Sequence, residues 1–172
     1  PLKIERGRQQ LANLCRNLPN SYVILLLGGT EADFIKFKGE NELPDSKFFF
    51  VGKVNYEVLP LFWEKGCASI VMYLPTYTNN RLCAPNRLYL SYFLGLPIIV
   101  NKNNPVLFDF INSYQAGGFI EDFAENPSDE FFNQLNTLII EDSAKERLLA
   151  TEKNKLKDIY SSIIDKAPQV DK

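Results

Sequence analysis

The residues able to do chemistry in this 172-residue chain form a restricted set. It has no histidine, which removes Ser-His-Asp and Cys-His catalysis and the commonest zinc ligand. Cys15, Cys67 and Cys83 are odd in number and far apart. They match neither a disulfide framework nor a metal cluster and read as reduced interior or helix residues of a cytosolic protein. Any reaction must then run on carboxylates, Arg and Lys, hydroxyls or backbone amides. The most informative stretch is NNRLCAPNRLYLSYFLGLPIIV at 79–100. Pro85 suits the first turn of a helix, where a missing N–H costs nothing. The free N–H groups after it, the helix dipole and Arg87 in the same turn make an anion site; the plainer alternative is a capped core helix with an exposed Arg. Further candidate places are Gly28-Gly29-Thr30, Gly52-Lys53-Val54 and the polar loop from Tyr77 to Arg87, which contains Asn80. GGTEAD lacks the G-x-G-x-x-G spacing of a dinucleotide fingerprint, so Gly28-Gly29 reads equally well as a tight turn.

Those places need elements to position them, and the pattern supplies an alternation of short apolar strands with helical stretches. Helical spacing runs over about 5–17 through Leu11, Leu14 and Cys15, and stops at Pro19-Asn20. Strands are expected at YVILLLGG (22–29), FFFVG (48–52), ASIVMYLP (68–75), PIIV (97–100) and GGFI (117–120). Helices are expected around 31–38, over 55–65 with a bend at Pro60, from Pro85-Asn86 to Leu94, and near 105–114. The segments 40–46 and 76–84 read as loop, and Phe48–Phe50, Phe62 and Trp63 as core. Beyond residue 126 only helices follow. One is capped by Ser128, with Phe131, Leu135, Leu138 and Ile139 inward; the other runs from Ser143 to Ile164 with Leu148, Leu149, Leu156, Ile159 and Ile163 inward. The fold class is therefore α/β: a Rossmann-like parallel sheet with helices on both faces, in one domain over 1–172. In such sheets ligands bind at the carboxyl ends of the strands.

Composition bounds the partners. Nineteen basic and 21 acidic side chains give 19 − 21 = −2, which offers no electrostatic reason to expect nucleic acid. With 45% hydrophobic and 23% charged residues the chain is not of the disordered class. No apolar run approaches the roughly 18–20 residues that span a bilayer, and PLKIERGRQQ lacks a signal-peptide core. The amino-terminal excess of positive charge sits in Lys3, Arg6, Arg8 and Arg16, which suits either a phosphate or a solvated helix face. Asp109 is isolated, so no strand ends in the acidic cluster of a phosphoacceptor site.

PNRLYLSYFLGLPIIV at 85–100 resembles the P-N-K-L-x-E-Y-x-x-x-G-x-P-V-I motif of retaining glycosyltransferases with the GT-B fold. The flanks agree in order. RGRQQLANLCRNLPNSYVILLLGG resembles the family's R/K-G helix and following strand, and FFFVGKVNYEVLPLFWEKGCASIVMYLP its next two strands. The likeness covers roughly residues 1–122. It implies the carboxy-terminal, nucleotide-sugar-binding half of a glycosyltransferase that acts on a glycan or lipid-linked acceptor in bacterial polysaccharide assembly. By the resemblance, Arg6 takes the place of the catalytic basic residue that neutralises the donor diphosphate. Gly52, Lys53 and Val54 would lie against the base, and Asn86 and Arg87 near the phosphates and distal sugar. Gly28, Gly29, Asn80 and Pro85 complete the donor-binding set. No metal or other cofactor is implied. The resemblance also implies a first strand with its glycine-rich loop, and an acceptor-binding half, both preceding residue 1, and a cytoplasmic location at the inner face of the membrane. One departure stands out: the family's two Glu residues, eight apart, correspond here to Leu82 and Leu90. Those leucines support the alternative of a non-catalytic GT-B-like scaffold; an unrelated α/β ligand-binding domain is the other.

Overall fold

The computed structural model describes residues 2–166. The chain divides into two compact units, Pro1–Ile139 and Ile140–Lys172. The first opens with a 3-10 turn at Ile4–Arg6 and runs α1 (Arg8–Asn17), β1 (Ile24–Leu27), α2 (Glu31–Asn41), β2 (Phe48–Gly52), α3 (Leu59–Trp63) and β3 (Ser69–Ile70). It continues through α4 (Thr78–Arg81), α5 (Asn86–Phe93), β4 (Ile98–Val100), α6 (Pro105–Tyr114), β5 (Gly117–Phe119), α7 (Ile120–Glu125) and α8 (Asp129–Thr137). The alternation is the expected α/β one, with parallel sheets flanked by helices.

Local chemistry sets the boundaries. Thr30 caps α2 by accepting the Asp33 N–H at 3.1 Å, with Glu31 and Asp33 in the positive first turn. Asn104 does the same for α6 from the Leu107 N–H, and Pro105 takes the first helical position. β1 and β2 pair in parallel, Ile24 opposite Phe48 and Leu26 opposite Phe50. On that face α2 lays Phe34 flat on Phe50 at 4.8 Å between centroids and Phe37 edge-on to Phe48. β3, β4 and β5 form a second parallel sheet in that order. Gly117 is obligatory there, because a Cβ would stand 1.8 Å from the Ile98 carbonyl oxygen.

The two sheets present open edges to a common cleft. Among the described residues β1 pairs only with β2, and β3 only with β4. A cavity of about 270 Å³ is lined by six consecutive residues, Tyr22–Leu27, and by five more, Gly66–Ile70. Since successive side chains of a strand point to opposite faces, lining by consecutive residues means that the strands meet the cavity edge-on. Leu11 and Leu14 of α1 line it too, as do Phe62 and Trp63 of α3.

Several expectations shift. The 68–75 strand keeps ladder geometry only at Ser69–Ile70, and the 76–84 loop contains α4. Pro85 is the N-cap of α5 rather than its first turn. α7 was not anticipated because β5 runs into it with no intervening turn. Of the aromatics read as core, Phe49 is 65% exposed, on the face of β2 opposite Phe48 and Phe50. Phe132 is buried and Ile139 exposed, since α8 ends at Thr137 and Ile139 lies beyond it. Ser128 holds the N-cap position without a side-chain cap bond. In the second unit the helix is α9 (Asp142–Lys166). Leu148 is buried there, but Leu149 and Leu156 are exposed, because neighbouring helical positions lie about 100° apart and cannot share one face. The Ile159 and Ile163 side chains lie outside the described residues. All three cysteines are free: Cys15 is buried, its thiol pushed up to about 12 by desolvation, while Cys67 is exposed, unlike the interior position expected, and Cys83 half-buried.

Gly117→Ala is expected to force β4 and β5 apart and destabilise the protein by about 3 kcal/mol, read as a lower urea midpoint. Gly28→Ala is the reference, since no atom lies within 4 Å of a Cβ there and only its φ of +84° opposes the side chain.

Candidate functional site

The site begins at a glycine. Gly7 ends the 3-10 turn with φ +72°, its N–H donating to the Ile4 carbonyl at 3.1 Å, and serves as N-cap of α1. A Cβ on Gly7 would lie 2.8 Å from the Met72 Cβ. Both the left-handed backbone and the close approach therefore require glycine. Pressing the turn onto Met72 brings Arg6 over the next residue: its Cζ stands 3.6 Å from the centroid of the Tyr73 ring.

A second cation reaches the same ring from α5. Arg87 is the second residue of that helix, and its Cζ lies 5.4 Å from the Tyr73 centroid. The helix is held from inside, where the fully buried Ser91 hydroxyl donates to the Arg87 carbonyl at 2.8 Å and accepts the Trp63 indole N–H at 3.0 Å. Burial, then the charge of Arg6, lowers the Arg87 pKa to about 10, partly offset by Cys83, so Arg87 stays a cation at neutral pH. Its Nε is buried with no hydrogen-bond partner. Among the described residues, neither Arg6 nor Arg87 forms a salt bridge. Two guanidinium groups within reach of one aromatic ring, one with an orphaned buried donor, have the charge and the free donors that a multiply charged anion would engage.

Arg6 and Arg87 both line the cavity between the sheet edges, with Leu27 and Met72. The other sequence candidates stand elsewhere. Gly28 and Gly29 have φ of +84° and +86°, and the Gly28 N–H donates to the Gly52 carbonyl, tying the ends of β1 and β2 together. Lys53 is exposed and Val54 half-buried beyond that junction. Asn80 is buried in α4, where its carbonyl accepts the Asn104 amide at 2.8 Å. Pro85 is buried and Asn86 exposed at the start of α5. Leu82 is 67% exposed and Leu90 half-buried; neither offers a hydrogen bond. No group of three or more His, Cys, Asp or Glu residues placed to hold a metal occurs among the described residues, nor a helix long and apolar enough to cross a membrane.

Three residues at the site escaped sequence reasoning: Tyr73, Asn101 and Asn104. Tyr73 sits in an apolar run and reads as strand interior. Asn104 carried a signal in standing before Pro105, a helix-start pattern. Asn101 carried none.

No family model matches the sequence, and no curated protein matches it. Among solved structures the chain is similar to AviGT4, a glycosyltransferase involved in avilamycin A biosynthesis, with a TM-score of 0.63 and 15% identity. The match covers 96% of this chain and 50% of that one, so this chain spans about half the length of the neighbour. The likeness is one of fold: the α/β architecture here is glycosyltransferase-like.

Two substitutions test the cluster. Because Arg87 is half-buried and forms no salt bridge among the described residues, Arg87→Met is expected to leave the stability of the free protein about unchanged. Pyrophosphate is expected to raise the melting temperature of the wild type, and Arg87→Met to remove most of that rise. Gly7→Ala is expected to lose about 1–3 kcal/mol through the strained φ and the Met72 clash, and to weaken pyrophosphate binding because Arg6 is the preceding residue. Thermal scans with and without pyrophosphate measure both.

Proposed function

We propose that this chain is the donor-binding half of a glycosyltransferase and holds the diphosphate of a nucleotide sugar between Arg6 and Arg87. The observation that carries the proposal is the pair of guanidinium groups on the Tyr73 ring, free of salt bridges among the described residues and lining one cavity. Sugar transfer breaks the bond between the anomeric carbon and the diphosphate oxygen, which departs with the electron pair, while an acceptor oxygen bonds the sugar and loses its proton. Negative charge then grows on the departing diphosphate, and preformed cations beside it stabilise that transition state most. Arg6, stacked at 3.6 Å, is the residue assigned this role. Arg87 and the amino end of α5 hold the phosphates. The linked turns at Gly28-Gly29 and Gly52-Lys53-Val54 contribute backbone groups toward base and sugar. No metal is required on this proposal, because the two guanidinium groups supply the positive charge.

The acceptor, a glycan or lipid-linked glycan of bacterial polysaccharide synthesis, would be bound by a separate amino-terminal half, at the cytoplasmic side of the membrane. The open edges of β1 and β3 support a further proposal on organisation. One extended apolar strand, preceding the Arg6-Gly7 turn, would pair with both edges and join the two sheets. Leu82 and Leu90 favour a second reading, a scaffold of the same fold with no donor site, because neither side chain can hold a sugar hydroxyl.

Calorimetry of UDP, GDP, ADP, dTDP, CMP and their common sugars against this chain separates the readings. The donor reading expects saturable binding of a diphosphate and a loss of about 1.5–3 kcal/mol on Arg6→Ala, as for a charge-assisted hydrogen bond. No binding by this chain, nor by a form extended through the proposed strand and the second half, would leave the scaffold reading.

A further inference from the structure

We infer that Tyr73 is the positioning residue of the anion site: its ring holds Arg6 and Arg87 together, and the side chain of Asn101 holds the ring in place. The inference rests on the anion-binding reading above and adds a residue whose role is exerted through the two arginines.

The argument starts from the β3–β4 ladder. The Ser69 N–H donates to the Pro97 carbonyl at 2.8 Å and the Val71 N–H to the Ile99 carbonyl at 2.9 Å. The next rung in that two-residue step would join Tyr73 to residue 101. It does, through a side chain: the Tyr73 N–H donates to Asn101 Oδ1 at 2.9 Å, and Asn101 Nδ2 donates back to the Tyr73 carbonyl at 3.1 Å. A carboxamide carries the same donor and acceptor as a peptide group, so it extends the ladder one step past the end of β4. Asn104 Nδ2 adds a second donor to the Tyr73 carbonyl at 3.0 Å while its Oδ1 caps α6. Both asparagines are fully buried, where hydrogen bonds resist exchange with water and enforce one geometry.

Fixing the backbone of Tyr73 fixes its ring, because an aromatic side chain has only two soft torsions. The ring is 8% exposed, and both guanidinium groups lie within the roughly 6 Å over which the negative face of a ring attracts a cation. Without it, two like charges would separate into solvent, and an anion would have to gather them again at an entropic cost.

The test uses this chain and pyrophosphate. Tyr73→Phe keeps the ring and should bind within about twofold of wild type. Tyr73→Leu removes the ring, and binding should weaken about tenfold or more. In an Arg6→Ala background the same Tyr73→Leu change should cost less than about threefold, because a residue acting through Arg6 has less left to lose. A second readout is independent of ligand: the Arg6 guanidinium protons should show an upfield ring-current shift in wild type and Tyr73→Phe, absent in Tyr73→Leu. Asn101→Ala should reduce that shift in a protein that still unfolds cooperatively. Equal weakening by Phe and Leu would mean that the hydroxyl, not the ring, matters and would overturn the inference, as would unchanged binding in Tyr73→Leu. Failure of the wild type to bind pyrophosphate would instead sink the anion reading, while the ring-current shift would still report the platform.

Discussion

The structure depends most on holding two guanidinium groups at one tyrosine ring with no salt bridge to either among the described residues. Like charges near a protein surface repel by up to a few kcal/mol, and the partial burial of Arg87 adds to that penalty. Attraction to one ring recovers about 0.5–2 kcal/mol per cation, so the ring alone does not settle the balance. The remainder comes from parts that cannot easily move. Gly7 lets the turn sit against Met72, closer than any side chain would permit. Trp63 and Ser91 fix the carbonyl of Arg87 from inside α5. Asn101 fixes Tyr73. Each is a buried or sterically obligatory contact, and together they make the separated arrangement of the charges the more costly one. On the proposed function this is preorganisation: the charges are already assembled before any ligand arrives.

The same clustering follows from the sheets. In parallel α/β architecture the strand ends are where chains turn, where backbone N–H groups are freed and where glycines accumulate. Gly28 and Gly52 adopt positive φ at such turns, and Gly7 does so between the 3-10 turn and α1. The cavity that both arginines line is continuous with the open edges of β1 and β3. It has apolar walls on two sides, Leu11 and Leu14 on one helix and Phe62 and Trp63 on another. A strand seated there would be covered on both faces and would be apolar throughout, the signature of an interior parallel strand. Open strand edges are an association hazard in any protein, which gives the slot a consequence for solubility as well as for ligand binding.

Much of this was legible in the sequence, for identifiable reasons. Continuous apolar runs ended by glycine, such as YVILLLGG and FFFVG, announce strands, although the paired Leu25 and Phe49 are exposed, so β1 and β2 are not covered on both faces as such runs suggest. Pro85-Asn86 marked a helix start because proline acts locally, whereas the cap at Asn104 escaped notice. Arg6 and Arg87 were both singled out, yet nothing local says that residues 81 positions apart share one ring. Tyr73 and Asn101 stayed invisible for the same reason. A side-chain amide that completes a ladder 28 residues away is a three-dimensional match, and in sequence it is only a polar residue after a strand. α7 was hidden because β5 passes into it directly, leaving no turn residue to announce the change.

On the proposed function, affinity and selectivity separate cleanly. Arg6 and Arg87 recognise charge, which every nucleoside diphosphate carries, so they set how tightly a donor binds but not which one. Selectivity must come from groups that form directional hydrogen bonds or exclude shape. Leu82 and Leu90 can contribute only shape, and Lys53 is exposed on a mobile-tipped side chain that selects poorly. Backbone groups at Gly28, Gly29 and Gly52 remain, held at fixed spacing by the hydrogen bond between Gly28 and Gly52. A site that reads its ligand through backbone groups is set by loop conformation rather than by side-chain identity. It would tolerate substitutions that erase a sequence motif while preserving the fold.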